Sequence, residues 1–257
     1  MRLSCLLVLV LASSVPAQFG LSGVVSPAVV SPGQTVSITV TAIQQISLPS
    51  PCVWQMVRAN SPTGPTVPQF IFCITVITPL APGQSQTGTW SVGNVAPGTY
   101  WFQVGWFSPL GASLQNEFFC FEVRAPGSQD PTLTATTVAR LGQTLSMDVA
   151  APLLPGAPYI GAMSLTSNNP IPLGANGPWT CIDNDLVFQL SFPAPLPGLF
   201  LNLVGTTDAN GNATGIGINV PNLPALTWFP LKAHVAVLSP MTLTPTLTNG
   251  LAFTIQP

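Results

Sequence analysis

Gly33-Gln34-Thr35-Val36-Ser37-Ile38-Thr39-Val40-Thr41-Ala42 returns later in the chain as Gly142-Gln143-Thr144-Leu145-Ser146-Met147-Asp148-Val149-Ala150-Ala151. Six of the ten positions are identical, and Val36/Leu145 and Ile38/Met147 keep their apolar character. From the third residue onward both copies alternate apolar and polar, the period of a half-buried strand. A second echo sets Pro97-Gly98-Thr99-Tyr100-Trp101-Phe102-Gln103-Val104 against Pro197-Gly198-Leu199-Phe200-Leu201-Asn202-Leu203-Val204. Both echoes are offset by roughly 100 residues, too long for a solenoid repeat and suited to a duplicated domain.

Outward from these strands, the chain is punctuated rather than linked. Its 29 prolines and 22 glycines are scattered as short breaks between apolar runs, the pattern of turns between strands. No stretch keeps apolar residues at helical spacing for more than about a turn. The fold class expected is all-β: two antiparallel, immunoglobulin-like β-sandwich modules in tandem, at 20–125 and 128–257, after a signal peptide at 1–17. The signal reading rests on Arg2, an apolar run from Leu3 to Ala12 too short to span a bilayer, and small residues at Val15-Pro16-Ala17. It implies export to an oxidising compartment, secreted or at the cell surface. Charged residues are only 5% of the chain, against about a quarter in ordinary globular domains. Past the signal the bases are Arg58, Arg124, Arg140 and Lys232, which form no cluster. That argues against nucleic acid or anionic membrane as a partner. Past the signal, no apolar stretch has the length of a transmembrane helix.

In module one, strands are expected near Val36–Ala42, Val53–Val57, Phe70–Val76, Thr87–Val92, Thr99–Trp106 and Phe118–Val123. Folding the chain back between Pro62 and Thr63 sets Cys52 opposite Cys73, close enough for a structural disulfide. Free buried thiols are the alternative. Along Thr99–Trp106, Tyr100, Phe102, Val104 and Trp106 share the core face, and Trp101 shares the other face with Gln103. Trp101 is therefore either a stacking platform for a ligand such as a sugar, or is covered by a loop or by module two. The Pro-Gly-Thr-Tyr start and alternating strand resemble bacterial immunoglobulin-like extracellular modules.

In module two, strands are expected near Leu133–Val138, Thr144–Ala150, Tyr159–Leu165, Leu186–Phe192, Phe200–Val204, Thr214–Val220, Leu231–Leu238 and Leu251–Ile255. Asp208-Ala209-Asn210-Gly211-Asn212 suits a type I turn followed by a left-handed residue, making a bulged hairpin. Three runs carry a further resemblance: residues 207–213 around that turn, Val220-Pro221-Asn222-Leu223-Pro224, and Thr248-Asn249-Gly250-Leu251-Ala252-Phe253-Thr254-Ile255. Together they resemble a Pro/Leu/Gly-rich β-domain of exported environmental bacterial proteins, a family with no assigned activity. Related sequences carry Gly-Cys-Pro-Gly-Ser where this chain has Arg124-Ala125-Pro126-Gly127-Ser128. Ala125 removes that cysteine and leaves the partner of Cys181 open, with Cys120 across the join one possibility.

Chemistry-bearing residues are few. His234, the one histidine, shares a strand face with Lys232 and is expected to be a half-exposed strand residue with no nearby nucleophile. No Gly-x-Ser-x-Gly, metal-spaced cysteine or histidine set, or phosphate loop occurs. Asp183, Asp185 and Asp208 could supply oxygens to calcium, but read more simply as Asx turns at strand ends. The two glutamates, Glu117 and Glu122, lie around one strand with nothing to bring them to a common cleft. No catalytic residue, cofactor or metal is assigned. The function expected is a non-catalytic structural or cell-surface β-protein acting through protein–protein packing. An extracellular module for neutral polysaccharide is the alternative, and a secreted hydrolase stands behind both.

Overall fold

Val36, Ile38 and Val40 have no exposed surface, while Thr35, Ser37 and Thr39 face outward; Leu145, Met147 and Val149 do the same in the later copy. The computed structural model describes residues 20–49, 52–68, 77–109, 113–173 and 178–257. In chain order its strands begin with β1 Leu21–Ser26, β2 Val29–Val30, β3 Thr35–Ala42, β4 Ile46–Leu48 and β5 Met56–Ala59. There follow β6 Thr78–Leu80, β7 Ser85–Ser91, β8 Gly98–Phe107 and β9 Leu114–Val123. The later part runs β10 Thr132–Ala135, β11 Thr144–Ala150, β12 Pro158–Ser164, β13 Pro170–Pro172 and β14 Trp179–Asp183. After helix α1 Leu186–Ser191 come β15 Phe200–Leu201, β16 Val204–Thr206, β17 Asn212–Asn219, β18 Pro230–Leu238, β19 Pro245–Leu247 and β20 Leu251–Thr254.

The fold is all-β, with antiparallel sheets packed in pairs. In the first half β1-β3-β7 faces a sheet ordered β2-β9-β8-β4-β6, with β5 also on β8. One pairing there, β2 with β9, is parallel. In the second half β10-β11-β17-β15 faces β16-β12-β18-β19, with β20 also on β18. The buried apolar residues fall into two large clusters, one drawn from residues 21–123 and one from 133–255. Among the described residues no helix is long and apolar enough to cross a membrane.

The duplicated stretch occupies the same place in both halves. Each copy is a middle strand of the smaller sheet and opens on a left-handed glycine, Gly33 at φ 86 and Gly142 at φ 69. The closing bonds repeat as well: Gly33 N–H donates to Val92 O and Val92 N–H to Gln34 O, as Gly142 does to Val220 and Val220 to Gln143. The second echo does not hold in space. Gly98–Phe107 lies in the large sheet of its half, whereas its counterpart splits. Phe200–Leu201 pairs with β17, the chain turns at left-handed Asn202, and Val204–Thr206 joins β12 in the facing sheet.

Other expectations change for local reasons. Leu186–Phe192 is a helix, not a strand: the Asp185 side chain accepts the Phe188 N–H at 3.0 Å and caps it. Val53–Val57 is strand only from Met56. Val53 and Trp54 are adjacent and both enter the core, which a strand's alternation forbids, and Val53 takes the left-handed conformation instead. The described part of the following turn pairs Arg58 with Thr66, one residue off the register that opposes Cys52 to Cys73. Cys52 is disulfide-bonded; Cys73 and the expected strand Phe70–Val76 lie outside the described residues, as does the signal segment. Asp208–Asn212 makes the expected turn, with Gly211 at φ 80, but it links β16 and β17 of facing sheets rather than hairpin partners.

Candidate functional site

The outward face of β8 and β9 is where the two halves meet. Trp101 on β8 stands opposite Cys120 on β9, and Cys120 is bonded to Cys181 of β14, joining the halves across 61 residues. Trp101 is 0% exposed and packs in one cluster with both cysteines, Phe118 and Trp179. It therefore offers no stacking face to a ligand: the second half covers it. Gly250 lies against the bridge, where a Cβ would meet Cys181 Sγ at 2.6 Å and Cys120 Sγ at 2.7 Å. That glycine is required by close approach, not by its backbone angles.

Beside the disulfide, charges are buried in a clasp. Lys232 on β18 reaches across to β9, donating to Phe118 O at 2.8 Å and to Ser167 Oγ at 2.5 Å. Its Nζ lies 4.0 Å from Glu117 Oε1 and 4.6 Å from the centroid of the Phe119 ring. Asn168 holds the same strand through two adjacent residues. Its Oδ1 accepts the Phe118 N–H at 3.1 Å and its amide donates to Glu117 Oε2 at 3.2 Å. Asp183 holds the gripping loop, accepting the N–H groups of Asn168 and Asn169 at 2.8 and 2.9 Å and the Thr166 hydroxyl. Asp185 accepts the Leu165 N–H at 2.6 Å in addition to its helix cap. Burial pushes the Glu117 carboxyl up to about 7, against the pull of Lys232 and the Asn168 bond. Burial also lowers Lys232, opposed by Glu117, Asp183 and Asp185. Each group is thus kept by its partners at a desolvation cost.

His234 is buried, not half-exposed, because the face it shares with Lys232 is turned into the protein. Its Nδ1 accepts the Cys181 N–H at 2.9 Å and its Nε2 lies 2.6 Å from Thr248 O. Since a carbonyl can only accept, the imidazole is neutral with its proton on Nε2. Burial lowers it to about 4, with the Thr248 bond pulling the other way. Of the residues read from sequence as part of a turn and strand motif, Thr248 holds His234 and Gly250 lies against the bridge, while Asn249 works inside the second half. Asn249 exchanges two bonds with the backbone of Leu133 at 2.9 and 3.0 Å. Glu122 is elsewhere, ion-paired to Arg124 at 2.5 Å, and Arg124 also donates to the carbonyls of Asp130 and Pro131 across the join. The exposed Asp208 accepts the N–H groups of Asn210 and Asn212, both at 2.8 Å, as an Asx turn.

The second half holds one more feature, a cavity of about 500 Å³. Its wall is built by α1, the end of β17, and the segments 196–200 and 220–226. The Val220-Pro221-Asn222-Leu223-Pro224 run thus forms a wall, which its appearance as a turn signal concealed.

No family model matches the chain, and a search of curated proteins finds no match. Among solved structures, similar ones include trypsin-activated alpha-2-macroglobulin from Escherichia coli, at 15% identity and a TM-score of 0.28, over 93% of this chain and 16% of that one. The elastase-activated form of the same protein is similar at 10% identity and a TM-score of 0.27, over 92% of this chain and 22% of that one. A chain of the CsuC–CsuE chaperone–tip adhesion subunit complex of Acinetobacter baumannii Csu pili matches at 8% identity and a TM-score of 0.29, over 91% and 98%. The chain spans less than a quarter of the macroglobulin chains. Likenesses this loose decide nothing about function.

Proposed function

We propose that this is an exported, non-catalytic β-protein that serves as a rigid building unit and acts by packing against other surface components. The observation that carries this reading is where the chemistry-bearing side chains go. Glu117, Asp183, Asp185, Lys232 and His234 are all drawn into the clasp between the halves and its supporting turns, each held by protein partners. Glu117 and Lys232 fasten the two sandwiches together and the other three brace the segments around them, whereas hydrolysis would require such groups to converge on an open cleft. The polysaccharide reading gains no support from Trp101, the ring expected to carry it, which is fully buried; the described aromatics that reach the surface, such as Trp179 and Trp228, are half-buried.

The test is to express the full chain from its own leader in a bacterial host, fractionate the cells, and photo-cross-link the intact surface. The reading expects processed protein outside the cytoplasm, cross-linked to other surface proteins. Retention of the unprocessed chain in the cytoplasm, or turnover of glycoside or ester substrates by the purified protein, would overturn it.

A further inference from the structure

The chamber in the second half goes beyond the packing role and does not depend on it. At about 500 Å³ it falls within the range of small-molecule sites, roughly 300–1,000 Å³. Its chemistry is unusually uniform. Among the described residues Asn219 is the one polar side chain on the wall, and both ends of its amide are engaged: Nδ2 donates to Gly198 O at 3.0 Å and Oδ1 accepts from Thr144 Oγ1 at 2.6 Å. The backbone offers little more. The amides of Leu199, Asn219, Val220 and Leu226 are bonded to carbonyls of the fold, and Pro197, Pro221 and Pro224 have no N–H to offer. The rest of the wall is aliphatic with two phenylalanines, and among the described residues no charged one lines it. A sugar or an ion placed here would lose its water and gain few hydrogen bonds in return. An aliphatic group would lose nothing and restore the dispersion contacts that the empty wall forgoes. The mouth lies between two proline-braced segments, where Pro197, Gly198, Pro224 and Ala225 are exposed. Such loops hold an entrance open at low entropic cost, since proline is already restricted in the unfolded chain.

We propose that this chamber is a binding site for an uncharged aliphatic hydrocarbon group, either a free molecule or the tail of a lipid whose head group stays outside the mouth.

The experiment uses the mature chain and a fluorescent apolar probe, N-phenyl-1-naphthylamine, displaced by a series of straight-chain alcohols from octanol to tetradecanol. Saturable probe binding is expected, with displacement that strengthens along the series until the chamber is filled and then stops strengthening. A lysophospholipid with the tail of the best alcohol separates the two sources: displacement by both admits a lipid tail, and displacement by the alcohol alone assigns the site to free hydrocarbons. Ala225→Trp at the exposed mouth and Leu199→Asp on the wall should each weaken probe binding by about tenfold or more. Met241→Ala, at a residue 96% exposed and outside the wall, should leave it unchanged. Ala225→Trp keeps the test decisive where Leu199→Asp fails to fold. Absence of saturable binding, displacement that climbs without limit along the series, or full binding by Ala225→Trp would overturn the proposal.

Discussion

His234 shows how little the identity of a side chain says about its job. The residue with the most catalytic potential in the chain is here a neutral spacer, accepting one backbone N–H and donating to one carbonyl. Its folded value, about 4, lies below its ordinary 6.5. Its contribution to stability is therefore complete above about 6.5 and is lost as the pH falls through about 4, on the order of 3 kcal/mol. Glu117 has the opposite sign. Its carboxyl is raised to about 7 from 4.5, so what it contributes is present below 4.5 and lost as the pH rises through 7. The two effects overlap, and the informative quantity is a difference. His234→Gln keeps a donor and an acceptor but does not titrate. Thermal midpoints of wild type and variant measured from pH 7 to 4 should diverge, the wild type losing ground as acid is added. Parallel curves would show that His234 is not held neutral.

The elements that could be read from sequence are those whose pattern is set by their own half-buried faces. Thr35–Ala42 and Thr144–Ala150 announce themselves because one face is core and the other is solvent. Helix α1 could not be read this way. Leu-Val-Phe-Gln-Leu-Ser is too short for periodicity to separate helix from strand, and the one usable signal was Asp185 as an N-cap. β18, Pro230–Leu238, was read one residue short at its start and with the wrong surroundings. Alternation placed Lys232 and His234 on one face, but that face is buried, at Lys232 by β9 of the first half and at His234 by β14 and Thr248 of its own half, which no local pattern reports. The same holds for Trp101, and for the aliphatic chamber, whose wall is spelled in residues that otherwise signal turns. The bridge between β9 and β14 rested on Cys120 being within reach of Cys181, and only the packing of the two halves decides that. Opening it with Cys120→Ala/Cys181→Ala should lower the free energy of unfolding by about 4 kcal/mol, the chain-entropy value for a loop of this length. Chemical denaturation of the purified protein measures it, and an unchanged denaturation midpoint would mean that the bridge constrains nothing.

For the molecule as a whole, a repeated strand lies at matching places in two sandwiches, and the junction between them explains the behaviour. Two sandwiches with separate cores would ordinarily move against each other across a modest interface. Here the interface is pinned by a disulfide, a buried lysine reaching into the other half, an asparagine bonded to two adjacent residues of β9, and a hydrogen bond of 2.9 Å between Ser22 and Thr254. The account therefore requires the two halves to unfold as one cooperative unit, although each has its own core. Scanning calorimetry of the mature, oxidised chain decides this most directly. A single endotherm is predicted, with calorimetric and van't Hoff enthalpies in agreement, splitting into two when the bridge is removed and Lys232 is replaced by methionine. Two separate transitions in the unaltered protein would contradict it.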